Sequence, residues 1–457
     1  MSEASSSTDH LTLHIERMGR DGEGVATLPD GRVVFVAGGL PGESVHAAVV
    51  EEHQRYARAV LTGLESHAPE RRLAPCPIYR ECGGCTLQHW SYEAESAYKR
   101  QRVEDALRRI GGLADVQVDP VRAPSYPYRY RSKASFVWTG GPGSARLGLF
   151  RRGTHEVVNT DQCLVQDPLL DEVLKGAVEA ANQFRLEPFQ EGEGRGLLRH
   201  LVARVSTAEA RSVALLVASR RDPRFMEWGR ELMRRVPHLK GVALSINSDR
   251  TNRILGGPAT TLTGDPELYE RLAGMSFVLG ADVFFQVNPA QTDVLLEVVA
   301  KEIGPGPGMH AADLYAGVGV MGSLLAHKGY RVLAVEASRS AVSDGRRSAL
   351  QNGSGIEFRP GAVEVVFPAL VEHDYRPDVV VLDPPRSGIK PEVAAALLAA
   401  SPTKIIYVSC DPETLARDVA RLSDYRVTHV TPVDLFPRTD HVETVLVLEA
   451  LEGNRGT

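Results

Sequence analysis

Five apolar runs in the C-terminal part of the chain most constrain its fold. They are HAADLYAGVGV from His310, RVLAVEAS from Arg331, PDVVVLDPPRSG from Pro377, TKIIYVSCDPE from Thr403 and VETVLVLEA from Val442. Helical stretches at 338–352 and 391–400 lie between them. Strands that alternate with helices predict an α/β doubly wound sheet over 281–457, with ligands at the carboxyl ends of the strands. Those ends carry Asp313, Glu336, Asp383 and Cys410.

The first turn, DLYAGVGV, places Tyr315 and two glycines, Gly317 and Gly319, after the strand that ends at Asp313. Glycines there let the backbone turn sharply and approach a ligand closely. Glu336 follows Asp313 by 23 residues and closes the second strand, where an acidic side chain grips ribose hydroxyls. The turn is not G-x-G-x-x-G, which argues against a dinucleotide. The series Asp-Leu-Tyr-x-Gly-x-Gly, Glu336 and Asp383-Pro384-Pro385 resembles the class I S-adenosylmethionine-dependent methyltransferases. Enzymes of that class that methylate exocyclic amines carry an aromatic after Pro-Pro; Arg386 stands there and favours another target atom.

Cys410 ends a strand, and Asp411-Pro412 supply an N-cap and first residue for a helix. A thiol beside a helix N-terminus is expected to have a lowered pKa and to be a nucleophile; otherwise it is a small buried hydrophobe. A methyltransferase gains from a thiolate because C5 of uracil is too poor a nucleophile for direct attack on a methyl sulfonium. Addition of sulfur to C6 builds electron density at C5, and a base later removes the C5 proton. Glu443, at the start of the last strand, is the candidate base, with His441 as its rival.

Upstream, residues 10–66 alternate in five short strand-like runs, with turns at Asp30-Gly31 and Pro41-Gly42, as in a small OB-like barrel; 1–9 read as a disordered tail. Residues 67–280 read as a central α+β domain, with a helix over 91–112 that packs on the catalytic domain and presents Tyr98, Val103, Leu107 and Ile110 on one face. Three of the five cysteines fall at Cys76-x5-Cys82-x2-Cys85, and Cys163 lies far downstream. Four thiols can close a zinc site or hold a [4Fe–4S] cluster, and spacing alone leaves the two level. Radical enzymes that cleave S-adenosylmethionine use x3 and x2 spacing instead.

The formal net charge is −6, which excludes a globally basic nucleic-acid binder, yet residues 71–155 hold 15 Lys or Arg against seven Asp or Glu. Within that basic segment, YPYRYRSKASF interleaves Tyr126, Tyr128 and Tyr130 with Arg129, Arg131 and Lys133. Aromatic planes for bases and cations for phosphates are what single-stranded RNA needs, and Tyr128, Arg129, Arg131 and Lys133 are the candidate contacts; an amphipathic edge strand is the plainer alternative. The polar N-terminus MSEASSSTDH has no apolar core of a signal peptide, and no run is long enough for a membrane helix, so a cytoplasmic protein is expected.

Taken together, FFQVNPAQ (284–291), DLYAGVGV (313–320), LDPPRSG (382–388), VSCDPETLARD (408–418) and DLFPRTDHVETV (434–445) resemble the RNA uracil-C5 methyltransferases, the bacterial 23S rRNA m5U enzymes and their tRNA m5U54 relative. The resemblance extends through CPIYRECGGCTLQH (76–89) and QCLVQDP (162–168), and the N-terminal barrel resembles a TRAM domain. It implies Cys410 as nucleophile and Glu443 as base. Gln286, Tyr315, Gly317, Gly319, Glu336 and Asp383 are implied around S-adenosylmethionine. It also implies a [4Fe–4S] cluster on Cys76, Cys82, Cys85 and Cys163, rRNA as the substrate, and no obligate protein partner. The family turn Phe-Cys-Gly-x-Gly-Asn reads Tyr315-Ala316-Gly317-Val318-Gly319-Val320 here, so a side-chain contact from position 320 is lost. Cytosine-C5 enzymes carry a second catalytic-domain cysteine; Cys410 stands alone, which favours uracil. The competing readings are tRNA m5U54 methylation and a non-catalytic iron–sulfur RNA-binding protein.

Overall fold

The computed structural model describes residues 10–249 and 253–451; the expected tail over 1–9 lies outside them. The C-terminal unit is a seven-stranded sheet. Its strands are β1 (His310–Leu314), β2 (Arg331–Glu336), β3 (Ile356–Pro360), β4 (Val379–Leu382), β5 (Lys404–Ser409), β6 (Tyr425–Val433) and β7 (Glu443–Ala450). Their order across the sheet is β3-β2-β1-β4-β5-β7-β6. The first five run parallel and β7 inserts antiparallel between β5 and β6. The sequence reading found five of these strands and missed β3 and β6. Both are edge strands with exposed polar residues, so neither shows a continuous apolar run.

Helices cover both faces. Val363, Phe367, Val393 and Leu397 bury one face, while Leu295, Val299, Met321 and Leu325 bury the other. The core of the unit also takes in the hairpin Glu267–Leu272/Met275–Gly280, upstream of the boundary expected at 281. Leu272, Met275, Phe277 and Leu279 are buried against the helix-bearing face, where they exclude water at roughly 25 cal/mol per Å² of apolar surface.

The helix read over 91–112 spans Tyr92–Arg109. The Ser91 hydroxyl accepts from the Ala94 amide, and Gly112 in the left-handed region ends it. Val103, Ala106 and Leu107 enter the catalytic core beneath Val118, and Tyr98 packs toward the N-terminal barrel. Ile110, expected on the same face, is instead exposed, because the helix has already ended at its C-cap. The helix is pinned by charge as well as by apolar packing. Lys99, fully buried, donates to Glu95 and Asp434 at 2.8 Å each, and Arg438 reaches Glu95 at 3.3 Å. Removing one member of such a buried set costs about 3–5 kcal/mol, because the remaining charge is stranded.

The N-terminal unit is a six-stranded sheet closed around Ile15, Val34, Val36, Val45, Ala47 and Ala57. The first apolar run breaks at Ile15-Glu16 into two strands, which gives six where five were expected. The central unit is a mixed seven-stranded sheet over 133–264, with helices Pro168–Gln183 and Arg224–Arg235 on a core that includes Phe136, Trp138 and Trp228. No helix among the described residues is long and apolar enough to cross a membrane.

Candidate active site

The register of the sheet brings the reactive side chains together. Leu382 of β4 pairs with Tyr407 of β5, and Ser409 of β5 pairs with Thr444 of β7. Because β7 runs antiparallel, its first residue, Glu443, stands at the carboxyl end of β5, beside Cys410. Asp383 follows β4 at the same edge. All three line a cleft of about 840 Å³, together with Gln286, Asp313, Tyr315, Gly317, Glu336, Arg386 and His441.

At the β1 end, the chain turns through Tyr315, Gly317 and Gly319, all at positive φ (64°, 55° and 80°). A Cβ on Gly319 would sit 2.7 Å from the Phe358 ring, so only glycine lets the turn pack on β3. Glu336 braces the turn: one carboxylate oxygen accepts the Gly317 amide at 2.9 Å and the other the Ser338 amide at 2.6 Å. Each oxygen keeps capacity for a second hydrogen bond. Asp313 accepts the Gly322 amide at 2.7 Å, and Gln286 donates to Asp383 at 3.5 Å.

The electrostatics depart from the expected lowered thiol. Burial, Glu443 and Asp383 push the Cys410 thiol up to about 12, against the pull of Arg386. The helix N-terminus is offset by its own cap, since Asp411 accepts the Thr414 amide at 2.8 Å and adds negative charge beside the sulfur. Desolvation also takes Asp313 and Asp383 to about 7 and Glu443 well above the ordinary carboxylate range. A pocket lined by Asp313, Glu336, Asp383 and Glu443 is chemically suited to a cation. His441 is held neutral by burial, and its Nε2 accepts from Arg386 at 3.1 Å, so that ring nitrogen is engaged. Arg386, noted from sequence only as a departure after Pro-Pro, is thus part of the site. Nothing local in the sequence shows that it faces Cys410, Glu443 and His441.

Cys76, Cys82, Cys85 and Cys163 line one smaller pocket of about 130 Å³ as free thiols. Burial raises the pKa of Cys82 and Cys163 and takes Cys85 to about 12. Among the described residues no three metal-ligating side chains converge on a single ion position. Gly84 and Arg131 line both this pocket and the cleft.

The tyrosine–cation stretch requires correction. Residues 126–131 are not strand; the strand begins at Lys133. Arg129 turns inward, donating to the Cys163 carbonyl at 2.9 Å and to Asp171 at 3.1 Å. Lys133 points at the Val283 carbonyl, and burial, with Arg204 nearby, lowers its amine to about 7. Both are partnered within the fold, so neither stands free on the surface as the alternating run suggests. Tyr130 donates to the Pro437 carbonyl at 3.0 Å, and Tyr128 carries Arg438 over its ring. Arg131 faces the cleft and Tyr126 is exposed, so these two keep the chemistry expected of the stretch.

Residues 368–451 match the family model of the tRNA (Uracil-5-)-methyltransferases, and residues 9–62 that of the TRAM domain. The chain is 35% identical, over 96% of its length and 97% of the relative's, to an uncharacterized RNA methyltransferase of Halalkalibacterium halodurans. It is 36% identical to another from Caldanaerobacter subterraneus subsp. tengcongensis, over 96% and 98%. Among solved structures, a tRNA (uracil-54, C5)-methyltransferase of Pyrococcus abyssi in complex with S-adenosyl-L-homocysteine superposes with a TM-score of 0.77 at 26% identity. That match covers 96% of this chain and 100% of the other.

Proposed function

Because the chain belongs to the RNA uracil-C5 methyltransferase family, we propose that it methylates C5 of a uridine in 23S rRNA through a covalent adduct of Cys410. It is an RNA methyltransferase that uses S-adenosylmethionine. The observation that carries the finer reading is the pairing of Ser409 with Thr444, which sets Cys410 beside Glu443 in the cleft that Asp383 and Glu336 also line.

S-adenosylmethionine supplies the methyl group as a cationic sulfonium, which suits the carboxylate-lined pocket. Gln286, Tyr315, Gly317, Glu336 and Asp383, which line the cleft, are the residues we assign to holding it, with Gly319 shaping the turn behind them. The Cys410 thiol first gives its proton to solvent water, a step that the Arg386 guanidinium favours. Its sulfur then bonds to C6 of the base, and the C5–C6 π electrons move onto C5 and O4. C5 forms its bond to the methyl carbon as the methyl–sulfur bond of the donor breaks, the electron pair of that bond leaving on the sulfur as a neutral thioether. Glu443, as carboxylate, takes the C5 proton; the C5–H electron pair restores the double bond and the C6–S bond breaks, releasing the thiolate. Of the candidates for RNA contact, Tyr128 and Arg131 are retained, Arg131 lining the cleft, and exposed Tyr126 is added to them; the reading includes a cytoplasmic location, where thiols stay reduced.

The Pyrococcus neighbour favours a second reading, tRNA uracil-54, since it matches across nearly this whole chain and so spans the barrel as well. Labelled S-adenosylmethionine offered with unmodified rRNA and with unmodified tRNA separates the two. Labelled 5-methyluridine is expected in rRNA. Label confined to tRNA transfers the reading there, and label in 5-methylcytidine overturns it.

For the four upstream cysteines, the proposal is a [4Fe–4S] cluster. Four free thiols around one pocket fit its donor set, and the burial that raises the pKa of Cys82, Cys85 and Cys163 would be relieved by a cationic centre. There it would supply ligation that ties the 76–85 loop to the turn at Cys163. Protein purified without oxygen should be brown, with iron and sulfide near about four each per chain. Stoichiometric zinc in a colourless protein would overturn this.

A further inference from the structure

The N-terminal barrel touches the catalytic loop at one charged point. Arg20 lies in the turn between the barrel's second and third strands and donates to Asp411 at 2.7 Å. Asp411 is the residue after Cys410 and caps the helix Pro412–Val419. The same guanidinium lies 3.9 Å from Glu413, which Arg102 holds at 3.2 Å from the other side. Arg102 in turn donates to the Asp440 carbonyl. The turn itself is wedged in place. Tyr98 donates to the Gly19 carbonyl at 2.6 Å, Arg152 donates to the Asp21 carbonyl, and Gly22 packs on Thr86 and Leu87.

From this placement we infer that Arg20 is a positioning residue for the nucleophile: the barrel presents a cation to Asp411 and so sets both the seat and the electrostatic environment of Cys410. The charged groups around the pair are Glu443, Asp383, Arg386 and Asp411 facing the sulfur, and Arg20 and Arg102 facing Asp411. Asp411 adds negative charge beside the thiol, and Arg20 offsets it. Without the guanidinium, that charge is less screened and the thiolate is disfavoured. Arg20 is more than half exposed, so the effect is modest. The barrel then acts on the active site through Asp411 as well as serving as an RNA module.

The inference rests on Cys410 being the nucleophile, but its test reads the ionisation of the thiol and needs no methyl transfer. The full chain is alkylated with iodoacetamide across a pH series, and the label at Cys410 is quantified by peptide mass spectrometry. A synthetic cysteine peptide added to every reaction is the reference for reagent reactivity. Arg20→Gln should slow Cys410 labelling about two- to fivefold at about pH 8.5 and shift its profile to higher pH, with the reference peptide unchanged. Arg20→Lys, which keeps the charge, should restore most of the rate. The inference fails if Arg20→Gln leaves the Cys410 profile in place or accelerates it, or if Arg20→Lys slows it as much as Arg20→Gln.

Discussion

Cys410→Ala is expected to lose 5-methyluridine formation by at least about 10⁴-fold while binding S-adenosylmethionine as the parent does. The loss is that large because C5 has no route to nucleophilic character without sulfur on C6, and no second thiol lines the cleft. Donor binding survives because the turn at 315–319 is held by Glu336 and the Gly322 end by Asp313, neither of which touches Cys410 through a hydrogen bond. Single-turnover assays with labelled donor, beside equilibrium binding of S-adenosylhomocysteine, measure both halves. Residual 5-methyluridine above about one part in a thousand would rule out the covalent route.

Glu443→Gln should fail later, and visibly. Burial, with Asp383 beside it, raises the pKa of the parent carboxyl well above the ordinary carboxylate range and favours its neutral form, whose charge and shape the amide reproduces. The Cys410 thiol, whose ionisation Glu443 opposes when charged, is no worse off in the variant. Addition and methyl transfer proceed; proton removal does not, and the C6–S bond persists. A protein–RNA complex that survives denaturing electrophoresis should accumulate, with turnover down about 10²- to 10⁴-fold. The sign of the pH dependence follows from the same raised pKa. The base is competent only once ionised, so resolution of the adduct in the parent should speed up as pH rises, and the variant should lack that rise. Near-parental turnover would move the base to His441, although its Nε2 is already engaged by Arg386.

Much of this arrangement was legible in the residues. Ser91 and Asp411-Pro412 announce helix starts because capping is chemistry local to a few positions. Val379–Leu382, buried throughout, announces an interior parallel strand. What could not be read is what depends on neighbours far along the chain. The thiol of Cys410 was expected low because the helix beside it is visible in sequence. The burial that raises it most, and the Glu443 and Asp383 carboxyls that add to it, arrive only when the sheet orders itself as β4-β5-β7. In the same way, Arg129 and Lys133 look free in an alternating run, and Asp171 and the Val283 carbonyl, which occupy them, lie well downstream.

The buried lysine of the 92–109 helix also sets an order of events during synthesis. Lys99 and its partner Asp434 are 335 residues apart. At ribosomal speeds of about 5–20 residues per second, Lys99 emerges roughly 20–70 s before Asp434 exists. For that interval the helix's Val103 and Leu107 have no sheet to cover them, and the lysine has only Glu95 of its own helix. The barrel, complete by Leu64, can fold first and shelter Tyr98. The other half of the helix must wait for the last strands of the chain, so the nascent protein carries its final docking surface exposed through most of translation.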